Sequence, residues 1–488
     1  MTAYDDLMAY SRDTCALGQV AGRLHWDMET TMPRGAAAQR GAEVAAIEGV
    51  LHARRTAPEV GEWLAKAEAP DSVGAAQLRE IRRDWERNNK VPARLARAIA
   101  QATSEAHGVW AAARADENVA GFLPVLEQIV TLKREEGQAL AAGGDVYDAM
   151  VDDYEPGMTG GEIAALFNAM RPRLVALRAA VLEKPAPQGV RGEFDDAAQM
   201  ALSVRLAEVF GYDLTRGRVD KAVHPFSSGS GADVRITTRT NALDPFNCIY
   251  STIHEVGHAT YEQGIDPAYM LTPLGRGVSM GVHESQSRIY ENQLGRSRAF
   301  TGWLHARMEA EFGPLGLDAD GFYGAVNRVQ PGYIRTEADE VQYNLHIMMR
   351  FDLERALIAG DLQASDLEAA WNDRFLRDFG VAVDRPSNGM LQDVHWSVGL
   401  FGYFPTYALG NVYAGCLMKA LRADLPDIDE ALAQGRPTVA TAWLRDKVQQ
   451  HGGLFEPRET IARACGFAPT EGPLLDYLEA KFGALYDL

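Results

Sequence analysis

The segment Thr252-Ile-His254-Glu255-Val-Gly-His258 limits what this chain can fold into more than any other stretch. A His-Glu-x-x-His pattern is chemically useful only on a helix. There, 3.6 residues per turn bring both imidazoles to one face, close enough to share a metal ion. Glu255, next to the first histidine, can then reach a water on that metal. Zinc lowers the pKa of such a water to about 7, and a carboxylate can take its proton as it attacks a carbonyl. The neighbouring residues suit a helix. Asp244-Pro245-Phe246-Asn247 supplies a turn and an N-cap, Gly264 a stop, and Ile249, Ile253 and Val256 an apolar side. Gly257 costs roughly 1 kcal/mol in a helix interior relative to alanine, which a close approach by another backbone would explain.

A catalytic zinc normally takes three protein ligands and keeps one position open. The four cysteines (Cys15, Cys248, Cys416 and Cys465) are widely spaced with no C-x-x-C, so they read as reduced, mostly buried small hydrophobes. The better third ligand lies in His283-Glu284-Ser285-Gln286-Ser287, where Glu284 follows His258 by 26 residues. That spacing allows a second helix to cross the first and present a carboxylate, with His283 as a rival ligand. The preceding Gly277-Val-Ser-Met-Gly-Val-His283 alternates like a short strand.

At 488 residues, length alone suggests about three domains, and 47% hydrophobic content is ample for a large core. No stretch approaches the roughly 20 apolar residues of a membrane span. Met-Thr-Ala-Tyr-Asp-Asp-Leu at the start lacks the basic and apolar regions of a secretory signal, so a cytoplasmic location is expected. A net charge of −19 argues against nucleic acid or an anionic membrane as partner.

The first 220 residues read as successive helices. Residues 35–55 and 77–117 are helical in composition, the latter broken near Val91-Pro92. Phe122, Leu126, Ile129, Val130 and Lys133 recur at helical spacing, and Thr159-Gly-Gly-Glu162 is a capping box before Ile163, Leu166, Phe167 and Met170. Pro172 should end or kink that helix. Pro185-Ala-Pro-Gln-Gly189 is too short for a domain linker. In Asp233-Val-Arg235-Ile-Thr237 the pattern changes to strand alternation, after a Ser/Gly turn run, which predicts a short hairpin near the metal. Helices return after Gly295. Thr336 and Asp339 are placed like a capping pair, and Val341, Leu345, Met349 and Leu353 follow at core spacing. Gly389 to Asn411 mixes Gly, Pro and aromatics with His395 and Asp393, like a loop entering a site. A His or a Tyr hydroxyl there could serve a developing oxyanion.

These segments together resemble the M32 family of zinc carboxypeptidases, typified by carboxypeptidase Taq. The resemblance runs almost end to end. It rests on Trp26-Asp27 with Thr31-Met32-Pro33, Tyr147-Asp148 with Tyr154-Glu155-Pro156-Gly157, and Asp233-x-Arg235-x-Thr237. It continues through His254-Glu255-x-x-His258, His283-Glu284-Ser285, Ile334-Arg335-Thr336-Glu337-Ala338-Asp339 and Gly389-x-x-Gln392-Asp393-x-His395-Trp396.

The resemblance implies one domain over 1–488, an N-terminal helical half (1–220) and a metal-site half (221–488). It implies a mainly α, large helical zinc-peptidase fold similar to neurolysin and angiotensin-converting enzyme, with a deep groove and a homodimer. The implied activity is removal of C-terminal residues from peptides with broad specificity, using zinc, with cobalt able to substitute. His254, His258 and Glu284 would bind metal and Glu255 would be the general base. His395 and Tyr407 would assist the oxyanion, with Tyr403 a rival for the tyrosine role. Asp233, Arg235, Thr237, Gln392 and Asp393 would belong to segments that close the groove and restrict substrate length. An exopeptidase also needs a cation for the free carboxylate, and Arg335, Arg350 and Arg235 are the candidates, Arg335 being favoured.

Overall fold

The structure, a computed structural model, describes residues 2–488. Long helices dominate its first half, among them Ala3–Thr30, Ala37–Arg55, Ser72–Lys90, Ala93–Ala115, Val119–Ala141 and Gly160–Leu182. The break at Val91-Pro92 lies where expected, because proline cannot continue the preceding hydrogen-bond ladder. The Thr159/Glu162 capping box forms, and Ile163, Phe167 and Met170 are buried behind it. Pro172 does not end this helix, which continues to Leu182. Pro172 and Asn168, whose carbonyl loses its partner, are both exposed, so water can satisfy that oxygen.

One hydrophobic core runs from Ala102 to Tyr486 and takes in Val341, Leu345, Met349 and Leu353, all fully buried. A small satellite of Leu7, Val60, Leu64 and Ile81 lies under the first helices. Contacts from those helices to the rest of the chain include Arg23 to Asp233 at 2.8 Å and Gln77 to Thr272 at 3.1 Å.

The expected hairpin is present, with one strand more than the sequence suggested. Strands β1 (Val219–Lys221), β2 (Ser227–Ser230) and β3 (Asp233–Thr238) are ordered β1-β3-β2, with β2 antiparallel and β1 parallel to β3. Val234 and Ile236 are buried while Asp233 and Arg235 are half-buried, as alternation requires. Thr237 departs from it. It is fully buried, and its hydroxyl accepts from the Phe226 amide at 2.9 Å.

The helix Pro245–Gly264, capped by Asp244 with Pro245 at its first position, carries both motif histidines and is called the histidine helix below. Residues 277–283 are not a strand. Ser279 caps a helix at Met280–Arg288, the glutamate helix, by accepting from the Val282 amide at 3.0 Å. Seven alternating residues are too few to distinguish a strand from a capped helix entry, and the serine hydroxyl decides the matter. The chain continues as a π-helix over Ile289–Gly295. Nor does Thr336 open a helix. Arg335–Glu337 forms a 3-10 turn, and Asp339 alone caps Glu340–Ala359 through the amides of Val341 and Gln342. The segment expected as a loop to Asn411 is irregular only up to Phe404, apart from a 3-10 turn at His395–Val398, and Pro405 then begins the helix Pro405–Asp424.

Two glycines set the helix spacing here. A Cβ on Gly257 would lie 2.6 Å from both the Gln286 carbonyl oxygen and the Ser287 Cα. A Cβ on Gly410, in Pro405–Asp424, would lie 2.5 Å from the Glu284 Cγ. The glutamate helix is thus wedged between two helices that each present a glycine. Gly257→Ala should destabilise the protein by about 1–3 kcal/mol through overpacking, despite alanine's better helix propensity. Gly22→Ala, where a Cβ meets nothing within 4 Å, should be neutral or stabilising. Urea unfolding of both variants measures the contrast.

Candidate metal centre and active site

The histidine and glutamate helices bring three ligand atoms within 4.8 Å of one another, from His254, His258 and Glu284. The Nε2 atoms of His254 and His258 lie 3.6 and 3.4 Å from Glu284 Oε2. Zinc–ligand bonds of about 2.0–2.1 Å at tetrahedral angles place ligand atoms roughly 3.4 Å apart, so this donor set fits such an ion.

The other ring nitrogens point outward to specific partners. His254 Nδ1 faces Glu291 Oε2 at 2.9 Å. His258 Nδ1 faces His283 Nδ1 at 2.6 Å, and His283 Nε2 faces Glu262 Oε1 at 2.9 Å. With Nε2 left as a lone pair, each motif histidine carries its proton on Nδ1 and donates it outward. His283 then donates in turn to Glu262. A single tautomer chain satisfies every ring. His283 therefore lies behind His258 and is not grouped with the three converging atoms.

The charges balance through residues that the sequence motifs did not single out. Arg288 donates from Nε to Glu284 Oε1 at 2.6 Å and also reaches Glu291, which Arg296 bonds at 3.1 Å. Burial opposes ionisation of Glu284, but Arg288 and His254 outweigh it and hold the carboxyl well below the usual range. Glu291 is likewise held down at about 2, burial being overcome by His254, Arg288 and Arg296. Burial pushes His258 down to about 3, leaving its imidazole neutral near pH 7. Glu255, without a partner arginine, is instead pushed up to about 7 by burial. The helical spacing of Glu284, Arg288 and Glu291 (i, i+4, i+7) is the sequence signal that could have revealed this network.

Facing this centre is the segment 389–407. Tyr407 lies one turn before Gly410, the residue packed on Glu284, and its ring centroid is 5.3 Å from that of Tyr403. His395 Nε2 is 3.3 Å from the Tyr407 hydroxyl. Burial pushes His395 down to about 3 and Tyr403 up to about 12, and raises Tyr407 far above its ordinary value. All three are neutral potential donors.

The three candidate arginines have different surroundings. Arg335 donates from Nε and Nη2 to one oxygen of Asp393, at 3.0 and 2.8 Å, with Nη1 3.4 Å from the Tyr343 hydroxyl. Gln392 accepts from the Arg335 backbone amide at 2.9 Å. Arg350 is fully buried, bonded to the other Asp393 oxygen at 2.7 Å and to the His346 carbonyl at 2.8 Å. Arg235 lies in the sheet, paired twice with Asp233 and stacked over Trp26 at 4.7 Å. Asp233 and Arg235 thus meet the first helix and Thr237 the sheet interior, on a strand packed against the histidine helix. Arg335, Gln392 and Asp393 are bonded together, and His395, Tyr403 and Tyr407 cluster beside the candidate metal site. A cavity of about 850 Å³ opens beside His283, lined among others by Ser279, Tyr154, Arg87 and Asp153.

Known proteins resemble this chain over nearly its whole length. The family model described as carboxypeptidase Taq (M32) metallopeptidase matches residues 6–482. Thermostable carboxypeptidase 1 of Thermus thermophilus is 40% identical over 505 residues, covering 99% of each chain. Carboxypeptidase 1 of Bacillus subtilis is 33% identical over 476 residues, covering 95% of this chain and 94% of its own. Among solved structures, an M32 carboxypeptidase from Deinococcus radiodurans R1 superposes with a TM-score of 0.97 at 36% identity, covering all of both chains. Metallocarboxypeptidase 1 of Trypanosoma cruzi gives 0.96 at 34% identity, over 98% of this chain and 99% of that one. Matched in sequence and fold over nearly its whole length, the chain belongs to the carboxypeptidase Taq (M32) family of metallopeptidases.

Proposed function

We propose that this metallocarboxypeptidase is a zinc enzyme that hydrolyses the C-terminal bond of peptides with broad specificity, with Glu255 as general base. The observation that carries this reading is the convergence of His254 Nε2, His258 Nε2 and Glu284 Oε2 beside a buried carboxylate that has no arginine partner. A bound zinc would supply the positive charge that acidifies a water and polarises the scissile carbonyl. Glu255 takes the proton from the attacking water and passes it to the leaving nitrogen. A carboxylate pushed up to about 7 is suited to both transfers near neutral pH. Tyr407 and His395 donate to the developing oxyanion, with Tyr403 the alternative tyrosine.

Arg335 holds the substrate's terminal carboxylate. Asp393 grips its Nε and Nη2 and so fixes the plane of the guanidinium, leaving the Nη1 edge beside Tyr343. Arg350 has no exposed surface, and Arg235 is committed to Asp233 and Trp26. The single core from Ala102 to Tyr486 supports reading the two halves of the chain as one domain.

Three outcomes test the reading. Glu255→Gln keeps size and hydrogen bonding but removes the base, so zinc should remain bound while turnover falls by at least ~10². Near-normal turnover in that variant would refute the mechanism. Glu284→Ala should lose metal as well as activity, measured by metal analysis after dialysis. His283→Ala should cost only about 10–100-fold in metal affinity, as an outer partner does. A full metal complement in Glu284→Ala would transfer the ligand role elsewhere.

For Arg335, charge-assisted bonds to the terminal carboxylate contribute about 1.5–3 kcal/mol. Arg335→Ala should therefore lose roughly ten- to a hundredfold in kcat/KM on free-acid peptides at unchanged metal content, with Arg335→Lys between it and the parent. C-terminally amidated peptides should resist the parent enzyme. Rapid cleavage of them would indicate an endopeptidase instead.

A further inference from the structure

We infer that Glu354, a residue in none of the catalytic motifs, is a positioning residue that holds the segment carrying His395 and Tyr403 against the metal centre. Glu354 lies on Glu340–Ala359 and has no exposed surface. Its carboxylate accepts three hydrogen bonds: from Trp396 Nε1 to Oε1 at 2.8 Å, and from the Gly402 amide and the Tyr147 hydroxyl to Oε2 at 3.1 and 2.9 Å. Two of these donors are sequence neighbours of the reaction-centre residues, Trp396 of His395 and Gly402 of Tyr403. One buried carboxylate thus ties both ends of residues 396–402.

The backbone at Gly402 leaves little alternative. Its φ is +80°, and a Cβ there would lie 2.8 Å from the Met150 carbonyl, so the segment already runs against the chain after Tyr147. Four residues earlier on the same helix, Arg350 holds Asp393. Successive turns of one rigid helix therefore fix the segment at 393, 396 and 402.

Among the described residues no cation is hydrogen-bonded to Glu354, and a buried carboxylate held only by neutral donors is costly to ionise. Burial pushes it up to about 7. A glutamine or an apolar side chain would fill the same space without that cost. What only the carboxylate does is accept from three donors at once, and this sets the orientation of residues 395–403.

Glu155 provides a matched comparison. It is also fully buried and also accepts from a tyrosine and a glycine amide, Tyr413 at 3.0 Å and Gly281 at 2.9 Å. Its glycine, however, lies one turn before Glu284, on the glutamate helix.

The inference rests on the proposed role of His395, Tyr403 and Tyr407 toward the oxyanion. In Glu354→Gln the amide NH2 would face at least one of the three donors, so kcat on a blocked free-acid dipeptide should fall roughly ten- to a hundredfold, with KM and zinc affinity unchanged. Glu155→Gln should show the opposite partition, weakened zinc affinity with kcat near normal once zinc is saturating. Trp396→Phe deletes one donor and leaves the carboxylate, and it reads the same partition if Glu354→Gln does not fold. His395→Ala separates the two ideas. If it retains full kcat, the oxyanion assignment fails. If it loses kcat while Glu354→Gln and Trp396→Phe keep theirs, the oxyanion assignment stands and the positioning role of Glu354 is overturned. Equal losses of zinc in Glu354→Gln and Glu155→Gln would also overturn it, as general loosening of the core.

Discussion

Everything at the metal centre depends on how closely three helices approach one another. Glu284 reaches His254 and His258 because Gly257 lets the backbone at Gln286 and Ser287 press against the histidine helix, and because Gly410 leaves room on the other side for the Glu284 side chain. A methyl group at either position would occupy space that backbone or ligand atoms already fill. Helix–helix distances are set by the side chains at the contact, and two glycines bring them to the short end of that range. Tyr407, one turn before Gly410, reaches the site through the same contact.

Such packing takes several charges out of water, and the fold offsets this by pairing most of them. Glu284 and Glu291 share Arg288, Arg296 adds a second cation to Glu291, and Asp393 sits between Arg335 and Arg350. A buried carboxylate with an arginine on it stays ionised, whereas one without is pushed toward its protonated form. The contrast between Glu284 and Glu255 follows from this. Both are buried on adjoining helices, yet only Glu284 has an arginine bonded to it, and only Glu255 is pushed up to about 7. Environment rather than residue type separates a ligand-like carboxylate from a base-like one.

The arginine–aspartate–arginine arrangement also explains why a motif arginine need not be a free one. Arg335 and Arg350 look alike in the sequence, but one has its Nη1 held only by a long bond to the Tyr343 hydroxyl while the other is enclosed by Asp393, His346 and Trp371. Their difference is one of depth in the core, with Arg350 on the inward face of Glu340–Ala359 and Arg335 in the turn before it.

What the sequence determined by itself is what lies within a few turns of backbone. The His254/His258 face, the Thr159/Glu162 cap, the break at Val91-Pro92 and the stripe from Val341 to Leu353 follow from local periodicity and end chemistry, which act over three or four residues. The 26-residue spacing allowed a crossing helix that carries Glu284, but spacing alone left His283 as a rival. The tertiary structure decided the rest. It decided that His283 backs His258 instead of converging with His254, His258 and Glu284, and that Ser279 begins a helix where alternation suggested a strand. It decided that Thr237 is buried with its hydroxyl bonded to the Phe226 amide, and that Glu354 collects donors from Tyr147, Trp396 and Gly402. These outcomes depend on which groups long-range packing places within hydrogen-bond reach. Tyr147 and Glu354 are 207 residues apart in the chain, and no local pattern encodes their meeting.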